Sequence, residues 1–213
     1  MVTGASSGLG QAIARALHAE GATVIGFARR FYASRLLAPP RPGSLTEIQL
    51  DVADERLVRE RFAEVGLIDI LVCCAGTGFF APLATAELAD LRTMLDVHIV
   101  GAFLCAREAL RSMKAKRAGL IVNVSSIVAF RTFKECGGYT AAKEGQRGLT
   151  RVLAEEARGI GVRVTGLYPG AIDTPIWDAR PGFDRAAMLK PESVAALVAE
   201  ICVRPELAVE ELH

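Results

Sequence analysis

Tyr139 and Lys143 stand four residues apart in the run YTAAK, inside a stretch whose apolar residues recur at helical intervals, so both side chains project from one face of a helix. An ammonium beside a phenol favours the phenolate, and the pair predicts a tyrosine pKa drawn below its usual value of about 10. A tyrosine tuned in this way serves as general acid toward a carbonyl oxygen or general base toward an alcohol. Thirteen residues upstream, Ser126 closes the run Asn123-Val124-Ser125-Ser126. At the C-terminal edge of a buried strand its hydroxyl would face a ligand crevice and hold the substrate oxygen. A second cluster, TGASSGLG from Thr3 to Gly10, has the spacing GxxxGxG rather than the commoner GxGxxG. Small residues at a strand-to-helix turn let backbone approach a pyrophosphate, and the free N–H groups of the following helix favour its charge. About 20 positions further on, where a carboxylate would bind a ribose 2′-hydroxyl, stand Ala28, Arg29 and Arg30. A guanidinium pairs with a 2′-phosphate in a bidentate fork, so NADP(H) is expected in preference to NAD(H); the other reading of the two arginines is ordinary solvated charge.

The elements that must position these groups alternate in period. Ala22–Phe27, Leu45–Leu50, Ile68–Cys74, Leu120–Ser125 and Val162–Tyr168 read as strands, most of them apolar on both faces, as in a parallel sheet covered by helices on each side. Between them Leu9–Glu20, Glu55–Val65, Glu87–Ala115 and Tyr139–Arg158 read as crossover helices, followed by a helix at Pro191–Cys202 and a possible edge strand at Ala208–Leu212. Strand, helix, strand, helix throughout selects an α/β fold: a single-domain, doubly wound parallel sheet of Rossmann type, flanked by helices on both faces. Pro39 to Gly43 forms a surface loop, placed between a helix returning from the second strand and the third strand. Asp173 to Lys190, with Pro175, Pro181 and Gly182, lacks periodicity and is the candidate lid over the substrate.

Composition sets the outer bounds. The chain of 213 residues is 51% hydrophobic, enough for one sizeable core in one domain spanning 1–213. Lys and Arg number 25 against 24 Asp and Glu, a formal charge of +1, which leaves no electrostatic footprint for nucleic acid or an anionic membrane. A small-molecule partner is expected. The five cysteines show no CxxC spacing and read as free thiols in a reducing compartment. With no metal site, secretory leader or membrane span in view, a cytoplasmic protein is expected.

Together these runs resemble the short-chain dehydrogenase/reductase family. TGASSGLG, LDV (Leu50 to Val52), CAG (Cys74 to Gly76), VNVSS (Val122 to Ser126), YTAAK and YPGAIDTP (Tyr168 to Pro175) occur in family order and at family spacing across essentially the whole chain. The resemblance implies reversible hydride transfer between a nicotinamide and a carbonyl/alcohol pair. Tyr139 would be the acid/base, Ser126 would orient and polarise the substrate oxygen, and Lys143 would bind the nicotinamide ribose while lowering the tyrosine pKa. It further implies a cofactor cradle of Gly4, Ser6, Ser7, Gly8, Leu9 and Gly10, with Arg29 at the 2′-phosphate. Asp51 and Val52 would meet the adenine, Ala75 and Gly76 its ribose, and Pro169, Gly170, Ile172 and Thr174 the nicotinamide. A homodimer or homotetramer built on the two long central helices is the family's habit.

The chain departs from the family pattern in three places. Cys73 and Cys74 stand where the family has two asparagines; His98 stands where it often has a catalytic asparagine; and only Met1 and Val2 precede the glycine turn, too few for a strand of typical length. His98 has two readings, a bridge to a water that serves the lysine or a histidine satisfied within helix packing. These departures also motivate an alternative function, a dinucleotide-binding regulator or scaffold with weak or no catalysis. In the candidate lid, Ile176, Trp177, Phe183, Met188 and Leu189 either line an apolar substrate pocket, to which Phe79 and Phe80 would add, or anchor their own loop.

Overall fold

The β-branched runs of the sequence become one sheet of seven strands in the order β3-β2-β1-β4-β5-β6-β7, parallel at every pairing. The computed structural model describes residues 1–213 apart from Ala179, Pro181 and Pro205. The strands are β1 (Val2–Thr3), β2 (Val24–Ala28), β3 (Leu45–Gln49), β4 (Ile70–Cys73), β5 (Gly119–Val124), β6 (Val162–Leu167) and β7 (Glu211–Leu212). Around them run α1 (Gly8–Ala19), α2 (Glu55–Val65), α3 (Leu88–Leu95), α4 (Gly101–Lys116), α5 (Gly137–Arg158) and α6 (Pro191–Val203).

From β1 the chain winds outward through β2 and β3, then returns to the centre and winds the other way from β4. The reversal therefore falls between β1 and β4, and the crevice beyond their C-terminal ends is where such a sheet takes a ligand. β1 has two residues yet lies mid-sheet: Val2 pairs with Gly26 on one side and Val72 on the other.

Strands that are apolar on both faces need cover on both. One face carries α1 and α6, where Ile13, Leu17, Val194 and Val198 pack over Val72 and Val122. The opposite face carries α2, α4 and α5, with Phe62, Leu104, Met113 and Leu153 over Phe27, Leu71 and Ile121. Phe27 is fully buried and its ring lies nearly parallel to that of Phe62, centroids 6.2 Å apart. Burial on that scale contributes about 2–3 kcal/mol for one such side chain.

The structure corrects three expectations. No helix joins β2 to β3: residues 29–44 run as turns and irregular chain. Pro39, Pro40 and Pro42 lack the N–H that a helix ladder needs, and Gly43 turns at a φ of +69°. The single helix expected over Glu87–Ala115 is α3 and α4 joined by a wide π turn at Asp96–Val100, the kind of local insertion that re-aims a side chain. The edge strand expected at Ala208–Leu212 contracts to Glu211–Leu212.

Candidate active site

The turn between β1 and α1 works because it carries no side chains where backbone must approach backbone. Gly4 and Gly8 adopt φ of +72° and +54°, a region costly for residues with a Cβ. At Gly10 a Cβ would lie 2.3 Å from the Gly4 carbonyl oxygen. Ser7 begins α1 in extended conformation and its side chain caps nothing, so the first amides of α1 are free for an anion. Thr3 steadies the floor: its Oγ1 accepts from the amides of Cys74 and Ala75 at 3.0 and 3.1 Å. The hydroxyl thus ties the end of β4 in place where the Cys73–Cys74 thiols cannot. Above the turn, Arg30 donates to Ser7 Oγ at 2.7 Å and to Ser6 Oγ at 3.2 Å. After β3, Asp51 accepts from the Ala53 amide at 3.0 Å, which fixes the loop that carries Val52.

At the other end of the crevice, α5 presents Tyr139 and Lys143 toward the end of β5. Two bonds lock helix to strand: Ser125 Oγ donates to the Lys143 carbonyl at 3.2 Å, and Lys143 Nζ donates to the Val124 carbonyl at 3.1 Å. Nζ also donates to Gln146 Oε1 at 3.1 Å, so a buried glutamine helps hold the ammonium. Burial draws Lys143 down to about 8, with Cys74 opposing. Ser126 accepts from the Val128 amide at 3.3 Å, which orients its hydroxyl into the crevice.

The tyrosine departs from expectation. Burial raises its pKa above the usual value, opposed by the Ser126 side chain, with Cys136 and Cys74 adding to the rise. Lys143 Nζ stands 5.7 Å from the phenol ring centroid, spending its hydrogen bonds on Val124 and Gln146. Desolvation, which disfavours phenolate, outweighs an ammonium at that distance. The phenol is therefore protonated throughout the neutral range.

The π turn delivers His98 into the same wall, almost wholly buried. Its Nε2 lies 2.6 Å from the Thr77 carbonyl oxygen and 3.3 Å from the Thr77 amide nitrogen; assigning the proton to Nε2 satisfies the shorter contact and leaves Nδ1 as an acceptor. Nδ1 is buried without a protein partner among the described residues. Burial first, then the Lys143 charge, lower the His98 pKa to about 3, so the imidazole is neutral. A Cβ at Gly76 would come within 2.9 Å of His98 Cε1, so that glycine makes room for the ring.

The 173–190 segment is tied at both ends by Ile172 bridging to Leu189, and internally by Arg185 to Asp173 at 2.6 Å and to Asp178 at 2.8 Å. Pro181 of the candidate lid lies outside the described residues. Ile176, Trp177, Arg180 and Phe183 line the crevice, but Met188 and Leu189 do not. Phe80 also lines it, stacked on Trp177 at 6.3 Å and tilted against Tyr139 at 5.4 Å, whereas Phe79 points elsewhere.

The crevice is a cavity of about 970 Å³, at the upper end of small-molecule sites. One wall gathers Gly4, Ser6, Ser7, Gly8, Leu9, Gly10, Arg29, Asp51, Val52, Ala75 and Gly76; the other gathers Ser126, Tyr139, Lys143, Pro169, Gly170, Ile172 and Thr174. Every residue singled out from the sequence for cofactor or chemistry thus opens on one space. Residues the sequence reading did not single out are Gln146, which touches Lys143, and Arg180, which reaches over Phe80. A lone glutamine three residues after a lysine on one helix face was the available signal for the first.

A glycine turn with free helix amides, joined by one cavity to a Ser/Tyr/Lys cluster on a parallel sheet, defines a dinucleotide-binding oxidoreductase. Comparison with known proteins agrees. Residues 1–182 match the short chain dehydrogenase family, and the chain belongs to the short-chain dehydrogenases/reductases. It is 36% identical to cis-4-hydroxycyclohexanecarboxylate dehydrogenase of Sinomonas cyclohexanicum over 100% of this chain and 86% of that protein. It is 31% identical to sepiapterin reductase of Chlorobaculum tepidum over 99% and 92%. In structure it resembles an alcohol dehydrogenase of Thermococcus sibiricus complexed with 5-hydroxy-NADP: TM-score 0.86, 30% identity, 99% of this chain and 93% of that one. The protein is an oxidoreductase that acts on CH–OH groups of small molecules with NAD(P). Among the described residues no helix is long and apolar enough to cross a membrane.

Proposed function

We propose that the chain is an NADP(H)-dependent enzyme that interconverts a carbonyl and an alcohol, with Tyr139 passing the proton. The observation that carries this reading is the placing of Ser126, Tyr139 and Lys143 on one wall of a cavity whose far end is the glycine turn. When bound, the nicotinamide supplies or accepts the hydride at the substrate carbon. Gly4 to Gly10 and the free amides of α1 would hold the pyrophosphate, and Pro169, Gly170, Ile172 and Thr174 would bear on the nicotinamide end. Ser126 hydrogen-bonds the substrate oxygen, and the protonated Tyr139 donates to that oxygen as hydride reaches the carbon. Lys143, with its charge 5.7 Å from the phenol ring, stabilises the negative charge that develops there. A phenol held protonated suits donation to a carbonyl oxygen, the proton step of reduction.

Preference for NADP(H) is supported by two guanidinium groups at the adenosine end and by the lack of a carboxylate after β2. Arg30 holds Ser6 and Ser7, and Arg29 lines the same space. Arg30 therefore joins Arg29 as a reader of the 2′-phosphate. Free cysteines fit a reducing, cytoplasmic compartment, and Phe103 on α4 and Val152 on α5, both exposed, fit a homo-oligomer.

Loss of NADPH absorbance with a panel of aldehydes and ketones, measured beside NADPH fluorescence on binding, tests the reading. Carbonyl-dependent oxidation supports it. Tight NADPH binding with oxidation no faster than the blank identifies a regulator instead.

A further inference from the structure

Among the described residues Arg180 is the arginine stacked on the aromatic wall beside Tyr139. Its guanidinium lies 4.4 Å from the centroid of Phe80 and 4.9 Å from that of Phe183. Stacking of this kind fixes the plane of the group and leaves its N–H edge free to bond. Only 18% of the side chain is exposed, yet among the described residues that edge meets a single acceptor, Glu135 Oε2 at 3.2 Å, out of five available donors.

Glu135 is a weak tenant. Its side chain is 48% exposed, where an ion pair contributes little. Its backbone sits at a φ of +64°, unfavourable for a residue with a Cβ. A planar anion entering the cavity offers the same fork two oxygens in a drier place, where charge-assisted bidentate bonds are stronger. Phe80 connects this group to the chemistry: its ring centroid is 5.4 Å from that of Tyr139, which puts the guanidinium within about 10 Å of the phenol ring. Phe80, Trp177 and Phe183 supply the apolar wall between the two. Lys134, also on the cavity lining, adds positive charge at this end.

We propose that the substrate is a carboxylate-bearing carbonyl or alcohol with a compact apolar body, and that Arg180 binds the carboxylate in place of Glu135 while the oxygen at the far end meets Tyr139. This rests on the reading of Tyr139 as proton donor and adds the substrate class. Arg180 is a specificity-determining residue: it fixes the end of the substrate that does not react.

The test compares para- and meta-formylbenzoate with their methyl esters as substrates for NADPH oxidation by the full-length protein, with Arg180→Met, Arg180→Lys and Glu135→Gln. In the wild type kcat/KM for at least one acid exceeds that of its ester by about 10- to 100-fold, the range of a charge-assisted pair. Arg180→Met lowers kcat/KM for the acid far more than for its ester and so collapses that ratio toward one; Arg180→Lys keeps part of it; Glu135→Gln raises the acid rate alone. An acid/ester ratio near one in the wild type, or a high ratio that survives Arg180→Met, overturns the proposal while leaving the reductase reading intact. Equal loss on acid and ester in Arg180→Met shows a purely structural latch and also overturns it. Oxidation of NADPH by none of the acids or esters, in a protein that reduces other members of the carbonyl panel, overturns this proposal alone; no oxidation across the whole panel, with NADPH still bound, removes the reductase reading and this proposal with it.

Discussion

The edge of the His98 imidazole meets the ring of Tyr139, centroids 5.6 Å apart and planes at 81°. A residue delivered by a π turn therefore forms part of the wall behind the Tyr139 phenol on another helix. Burial and the nearby Lys143 charge, opposed by the Nε2 bond to Thr77, keep His98 a neutral group that the fold is built around.

The pH dependence of stability follows from this. His98 has a folded-state pKa of about 3 against an unfolded value of 6.5. Between those values the unfolded chain takes up a proton that the folded chain refuses, so stability present above pH 6.5 is lost as pH falls toward 3. The loss reaches several kcal/mol at the acid end. Urea midpoints from pH 7 to pH 4 should fall steeply in the wild type and much less in His98→Asn; parallel slopes would show that His98 does not titrate across this range.

Gln146 holds the ammonium of Lys143, and its loss should be felt in the reaction. Gln146→Leu removes an acceptor from a buried cation, worth about 1.5–3 kcal/mol, and so favours the neutral amine. The pH at which kcat declines on the alkaline side, near the Lys143 value of about 8, moves down, with kcat reduced roughly tenfold at pH 8. Gln146→Glu supplies an acceptor again and moves the limb the other way. A kcat–pH profile unchanged in both variants assigns Gln146 to packing alone.

The close backbone approach at Gly10 makes Gly10→Ala severe. The new methyl meets the Gly4 carbonyl oxygen at 2.3 Å, backbone against backbone, with no flexible side chain to give way. A cost of about 3 kcal/mol or more is expected, together with loss of NADPH binding. Thermal unfolding and fluorescence titration measure the two; a wild-type melting temperature would mean that the turn relaxes freely.

Arg30 predicts a cofactor switch. In Arg30→Ala, NADPH affinity falls about 10- to 100-fold while NADH affinity stays level, because only the former carries the phosphate. Arg29→Ala in parallel apportions the effect. Equal changes for both cofactors would point to collapse of the Ser6–Ser7 turn rather than to loss of phosphate recognition.

Much of this architecture was legible because its signals are local. The period-2 and period-3.6 runs locate β2 to β6 to within two residues, whereas β1 is too short to leave a run and β7 begins three residues later than expected; glycines that only a tight turn requires mark the β1–α1 end of the crevice. What stayed hidden depends on tertiary burial. Sequence puts Lys143 beside Tyr139 and suggests a lowered phenol pKa, but Lys143 turns to Val124 and Gln146, and desolvation decides the direction. Likewise the π turn that swings His98 inward has no compositional mark. The proline-rich stretch before β3 did carry a local signal against a helix, and the loop there follows it.

In the proposed mechanism Tyr139 transfers the proton in carbonyl reduction. Tyr139→Phe removes one oxygen and keeps the ring against Phe80 and His98, so folding and NADPH binding should persist. With a carbonyl that the wild type reduces, single-turnover oxidation of bound NADPH should slow by about 10²–10⁴-fold, with NADPH affinity within about twofold of the wild type. An unchanged single-turnover rate in Tyr139→Phe would contradict the account.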